Sequence, residues 1–536
     1  MKRLFSCLFI LAALATSTSC DSQSKRYYAF SLRESAVPVR PGIPGERPFW
    51  NKASFRFIYA PAFDFAVIEN ADRYLYVIDC ADGKHFEFTA KTPNEPLSPV
   101  WKKVPVGYFK LSVKGLSAKG QELGTAGEGR YWRAAPFAGE YNAPPAVSYE
   151  ESARTALDTL MNKYWVRSWL DEAKPHPDYN LYRYPTKIMS ALLIGALLHA
   201  SMHEGEKISE EDIKIAVTIG DYLLNLRIPE GEPWEWHTPT YRGYQIGQKK
   251  DSHMQESNMM TIYGTDAGNA WLDPYDATSD RKYLEAAVKI AETFVKRQLP
   301  CGSWYLYVNY ERNEPIADLI TIPTQIINYY DRLERDYGVK GLEESRRKAL
   351  AWMEENVLKT FDWQGQFEDI KPRGPYENLS REQACDYAIY LMRNHAEDPE
   401  SLALARELIR FSEDQFVVWE QPVPRGAHTK TTAHKSEYWI TPCVMEQLVF
   451  WNPVGRSAAI MIETYMQAWK TTGEDIYLAK ARSIGNSFVK VQQEHGGDYP
   501  TFFCVGEAKG NYWLNSVVYP ARTLTRLYKA GNGEGL

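Results

Sequence analysis

Two stretches of this 536-residue chain concentrate the side chains able to bind a ligand and move protons. Residues 232–260 carry Trp234, Glu235, Trp236, His237, Tyr241, Arg242, Tyr244, His253 and Glu256. Residues 424–447 carry Arg425, His428, His434, Glu437, Tyr438 and Trp439. Structured loops this long are usually functional. Hydrolysis of a glycosidic bond needs two carboxyl groups, one of them kept protonated. Glu256, Asp266 and Glu437 are the best carboxylates for it. Each also has a plain alternative: Asp266 caps a helix, and Glu256 and Glu437 are solvated loop charges. Elimination beside a uronate carboxylate needs instead a group that binds that carboxylate and a Tyr or His base. His237, Arg242, Tyr244, His253, His428 and His434 could serve there, and two opposed histidines would suit an epimerase. The 16 Trp and 35 Tyr fit stacking on sugar rings, with Trp234, Trp304, Tyr305, Tyr438 and Trp439 as candidate walls and Arg242 as a polar contact. Asp498, after Gly496 and Gly497, either bonds a sugar hydroxyl or closes a turn.

The elements that position these residues repeat. YLEAAVKIAETFVKRQ at 283–298 returns as YLAKARSIGNSFVKVQ at 477–492, an offset of 194 residues (477 − 283). A glycine follows each copy, Gly302 and Gly496. Degenerate copies of this amphipathic pattern centre on Ala156, Ala216, Ala287, Ala349, Ala403 and Ala481. Each runs into an aromatic or glycine-rich loop and then a more apolar helical stretch, near 186–202, 261–278, 319–333, 380–393, 456–471 and 515–528. The first of these, TKIMSALLIGALLHASM, is apolar nearly all round, as a helix buried on every side should be. Six helix pairs predict a closed ring of six inner and six outer helices, with an open solenoid as the alternative. In the ring, the loops 165–185, 227–260, 299–318, 362–379, 417–455 and 493–514 gather at one end, where the inner helices present their N-termini. Trp234, His237, Tyr244, Trp304, Glu437 and Tyr438 should then meet there.

Ahead of the repeats the chain reads differently. Residues 1–20, MKRLFSCLFILAALATSTSC, have a basic start, a short apolar core and small residues before Cys20. That is a secretion signal, too short for a membrane span, and its end is similar to a bacterial lipobox, which implies lipidation at Cys20. Export with a lipid anchor at the bacterial cell envelope, on the outer membrane surface or in the periplasm, is expected. Residues 21–27 would be a tether. Within 28–140, stretches at 54–61, 73–80, 85–90, 108–116 and 130–137 alternate or run apolar between turn residues, predicting an antiparallel β-sandwich of immunoglobulin or fibronectin type. Residues 141–150 would link it to the ring at 151–536. The net charge of −6, with no basic run or stripe, gives no sign of a nucleic-acid partner, and none is expected. Five cysteines beyond Cys7 and Cys20 are scattered singly, with no Cys/His cluster at zinc spacing, so no metal or cofactor is expected.

A lipobox-like signal, a β-sandwich and six helical hairpins together resemble the six-hairpin glycosidase superfamily of (α/α)6 toroid enzymes. Its members include glycoside hydrolases, toroid-type polysaccharide lyases and sugar epimerases. The resemblance covers residues 150–530 in architecture and contains no single family's catalytic motif. It implies an enzyme that degrades an oligo- or polysaccharide, a glycoside hydrolase first. A polysaccharide lyase and a non-catalytic glycan-binding lipoprotein are the alternatives.

Overall fold

The computed structural model describes residues 22–40, 49–139, 144–242, 254–368, 373–419, 439–503 and 512–533. Twelve long helices among them build the ring. In chain order they are α1 (Tyr149–Met161), α2 (Pro185–Met202), α3 (Lys207–Leu226), α4 (Gly264–Thr278), α5 (Arg281–Arg297), α6 (Thr324–Tyr337), α7 (Glu343–Glu355), α8 (Glu382–Asn394), α9 (Pro399–Phe416), α10 (Gly455–Thr472), α11 (Asp475–Glu494) and α12 (Asn515–Gly531). The even-numbered helices form the inner circle, each packed on the next, and α12 returns to α2, so the ring is closed. Each inner helix pairs with the outer helix that follows it, and α12 pairs with α1.

Local sequence sets the hairpins. Short connections leave the C-termini of the inner helices, and Gly338 (φ 67°) and Gly473 (φ 69°) end α6 and α10 in the left-handed region. Elsewhere in the ring Asp280 caps α5 and Asp398 caps α9, accepting from Lys282 N at 3.2 Å and Ser401 N at 3.0 Å. The outer-to-inner connections are the long ones, and they reach the inner N-termini. Helix α2 is long and apolar enough by composition to cross a membrane, yet it is mostly buried as the first inner helix of the ring. The loops also form a small sheet of Asn258–Met260, Tyr307–Asn309 and Glu314–Pro315, which the helical periodicity did not announce.

The segment expected as a β-sandwich contains, among the described residues, one five-stranded sheet. Its strands are β1 (Arg56–Phe57), β2 (Arg73–Cys80), β3 (His85–Ala90), β4 (Gly107–Leu116) and β5 (Glu122–Arg133), in the order β1–β5–β4–β2–β3 with β1 and β5 parallel. Alternation buries Tyr74, Tyr76, Ile78 and Cys80 on one face of β2 and Phe109, Leu111 and Val113 on β4. Among the described residues, that face packs against Phe63 and Trp101 from flanking segments. Residues 22–34, expected as a tether and the start of the all-β segment, form a helix whose Tyr27 is buried in the ring's core cluster. The sheet is fastened to α9: Asp414 accepts from Ile58 N at 2.5 Å and Tyr59 N at 2.8 Å.

Candidate active site

The six inner N-termini converge on a pocket. Its floor takes one polar side chain from the first turn of each: Lys187, Asp266, Gln325, Glu382, Arg456 and Asn515. Tyr263, Gln366, Phe367, Arg381, Glu446 and Trp513 come from the long loops. Below it, along the ring axis, lies a cavity of about 1020 Å³ that also reaches Asp266, Glu382, Asp386 and Arg456.

Buried charges dominate this floor. Lys187 Nζ donates to Glu368 Oε1 at 2.6 Å, and the Tyr263 hydroxyl donates to Glu368 Oε2. Burial would push the Glu368 carboxyl up, but the Lys187 ammonium and the Tyr263 hydroxyl outweigh it and hold it below the usual carboxylate range. Asp266 is pushed up to about 6, first by burial and then by Glu382 and Glu368, against the pull of Arg456 and Lys187. Asp386, one turn below Glu382, is pushed up to about 7 by burial and by Glu382. Arg456 stands 3.3 Å from Glu382 Oε1 and 4.2 Å from the centre of the Tyr519 ring. Arg381 Nη1 donates to Glu446 O at 2.5 Å. A carboxyl raised to about 6 thus shares one buried charge network with another kept ionised, the kind of divergence that acid–base chemistry uses.

Of the residues singled out from the sequence, Asp266 lines this pocket. Trp234, His237 and Trp304 do meet near the inner N-termini, but as packed core and not as walls. His237 lies 5.4 Å from Trp234 and 4.8 Å from Phe294 between ring centres, and Phe294 lies 5.8 Å from Trp304. Burial pushes His237 down to about 4, so it is a neutral core histidine. Trp304 donates its indole N–H to Phe294 O at 2.8 Å. Glu256 and Arg242 are exposed and do not line the pocket, Tyr305 is half-buried, and Trp439 is buried. Asp498 sits apart, 3.4 Å from Lys163 and accepting from Tyr512 at 3.2 Å. Tyr244, His253, Arg425, His428, His434, Glu437, Tyr438 and Cys20 lie outside the described residues. The sequence reading does not single out Lys187, Glu368, Glu382 or Arg456. The repeat signals three of them, because a polar residue recurs in the first turn of every inner helix, whereas Glu368 lies in a loop and carries no such signal.

No family model matches the chain, and no curated protein matches it. Solved structures do resemble it. A family 76 glycoside hydrolase from a bovine Bacteroides thetaiotaomicron strain is 11% identical, covering 88% of this chain and 96% of its own, with a TM-score of 0.46. Cellobiose 2-epimerase from Spirochaeta thermophila is 13% identical, covering 72% and 98%, with a TM-score of 0.48. An unsaturated glucuronyl hydrolase specific for heparin is 10% identical, covering 72% and 98%, with a TM-score of 0.42. These neighbours are members of the six-hairpin glycosidase superfamily. At these TM-scores they add nothing to the ring seen in the chain's own helix contacts.

Proposed function

We propose that the protein is an exported, lipid-anchored enzyme that hydrolyses a glycosidic bond of an oligo- or polysaccharide at the mouth of the ring. Asp266 is the general acid and Glu368 its ionised partner. The observation that carries this reading is the opposite displacement of the two carboxyls, with the Glu368 charge among the causes that raise Asp266. Elimination is less well served by the described pocket. Tyr263 is its nearest phenol, but burial and the Glu368 charge raise its pKa well above the ordinary value, which makes it a donor and a poor base. The neighbours' carbohydrate substrates are consistent with the substrate class.

The test is a screen on neutral and uronate-containing glycans, read by new reducing ends and by ultraviolet absorbance. Reducing ends without an absorbing product are expected. Asp266→Asn should lower kcat by about 10²–10⁴ with little change in Tm. An absorbing, unsaturated product would replace hydrolysis by elimination, and so would activity that survives Asp266→Asn and Glu437→Gln but is lost in His434→Ala or Tyr244→Phe. Labelled lipid should enter the wild type and not Cys20→Ala.

A further inference from the structure

Away from the mouth, two histidines and a carboxylate meet at the C-terminal end of α2. His199 lies 14 residues along that helix from Pro185 (199 − 185), about 21 Å at 1.5 Å per residue. His203, four residues further on, shares its face. Asp158 reaches them from α1: His199 Nε2 is 2.7 Å and His203 Nε2 3.1 Å from the same oxygen, Asp158 Oδ1. The three ligand atoms lie within 4.8 Å of one another. The other ring nitrogens are also held by carboxylates. His199 Nδ1 is 2.5 Å from Asp212 Oδ2, and His203 Nδ1 is 3.3 Å from Glu206 Oε1. Arg167 in turn holds Asp212 Oδ1 at 3.1 Å.

The tautomers decide what this cluster needs. With each Nδ1–H donated to its carboxylate, a neutral imidazole turns its Nε2 lone pair toward Asp158 Oδ1. Two nitrogen lone pairs and a carboxylate oxygen then face one another, which is unfavourable unless a proton or a metal cation stands between them. Two imidazole nitrogens and one carboxylate oxygen, completed by a solvent water, would form a zinc-type donor set. Carboxylates on the far nitrogens are the usual outer support of metal-bound histidines. The set has no Cys/His zinc spacing, because its third ligand is an aspartate 41 residues upstream of His199.

We propose that Asp158, His199 and His203 bind a divalent transition-metal ion of the zinc class, which ties the first outer helix to the first inner helix. The competing state is metal-free, with protonated histidines bridging the carboxylates. The full chain, stripped with a chelator and dialysed, is titrated with zinc chloride by calorimetry and with cobalt(II) by visible absorption. Expected are one zinc per chain, a rise in Tm on zinc addition, and the d–d band of four-coordinate cobalt. His203→Gln and Asp158→Asn should each abolish stoichiometric uptake, and Glu206→Gln should weaken it about 10–100-fold. A wild type that takes up no zinc overturns the proposal, as does equal uptake by His203→Gln and Asp158→Asn. Reading both substitutions keeps the test decisive if one of them unfolds.

Discussion

At the residue scale, Lys187 sets the protonation state of Glu368. Its ammonium opposes the upward push of burial on that carboxyl. Replacing it by methionine leaves burial the larger influence, so the Glu368 pKa rises. In a pH profile of kcat/KM, the acid limb belongs to the group that must be ionised, and Lys187→Met should move that limb to higher pH. The alkaline limb belongs to the group that must be protonated. Asp266, pushed up to about 6, loses its proton as pH rises, so wild-type activity should fall above about pH 6, and because Lys187 also pulls Asp266 down, Lys187→Met should move this limb to higher pH as well. An acid limb unmoved in Lys187→Met would remove Glu368 from the role of ionised partner.

At the element scale, the first turn of α4 depends on a residue without a side chain. A Cβ at Gly264 would stand 2.5 Å from His237 Cδ2, 2.6 Å from its Nε2 and 3.1 Å from Phe294 Cζ. Both rings are held between Trp234 and Trp304 and have little room to retreat. Gly264→Ala should therefore cost about 1–3 kcal/mol by overpacking, and it should lower kcat as well, because the displaced turn carries Asp266. Gly338→Ala is the contrast. It places a side chain at φ 67° with open space around it, costing about 1–2 kcal/mol at the far end of α6. Thermal melts and kcat of both variants check this: both should melt lower, and only Gly264→Ala should lose turnover.

At the scale of the whole molecule, the sheet and the ring share a buried polar seam. Next to Asp414, Glu413 accepts from Lys480 Nζ at 2.6 Å, Tyr465 at 2.9 Å and Trp419 Nε1 at 3.0 Å, joining α9 to α10 and α11. Lys480→Met would leave a buried carboxylate without its counter-charge, and urea unfolding should show a loss of about 3–5 kcal/mol. Removing residues 1–145 should give a ring that is still helical by circular dichroism. It should melt lower and be less soluble, since Asp414 loses two amide donors and Trp419 loses its contact with Phe137. The sequence alone determined the six hairpins, because burial of one helix face imposes a 3.6-residue period that survives even where the repeats have diverged. It also determined which loops gather at the mouth, because chain direction around a closed ring leaves them one end to share. Tertiary structure decided which residues face the pocket. Trp234, His237 and Trp304 carry sugar-binding residue types, yet packing against Phe294 takes them into the core. Lys187, Glu382 and Arg456 look like ordinary surface charges in the sequence, and they become a charged floor only when helices far apart in the chain bring them to one axis, with Glu368 reaching Lys187 from a loop. Likewise, among the described residues, one five-stranded sheet stands where alternation predicted a sandwich: period-two burial reports that one face of a strand is covered, and what covers it depends on contacts distant in sequence.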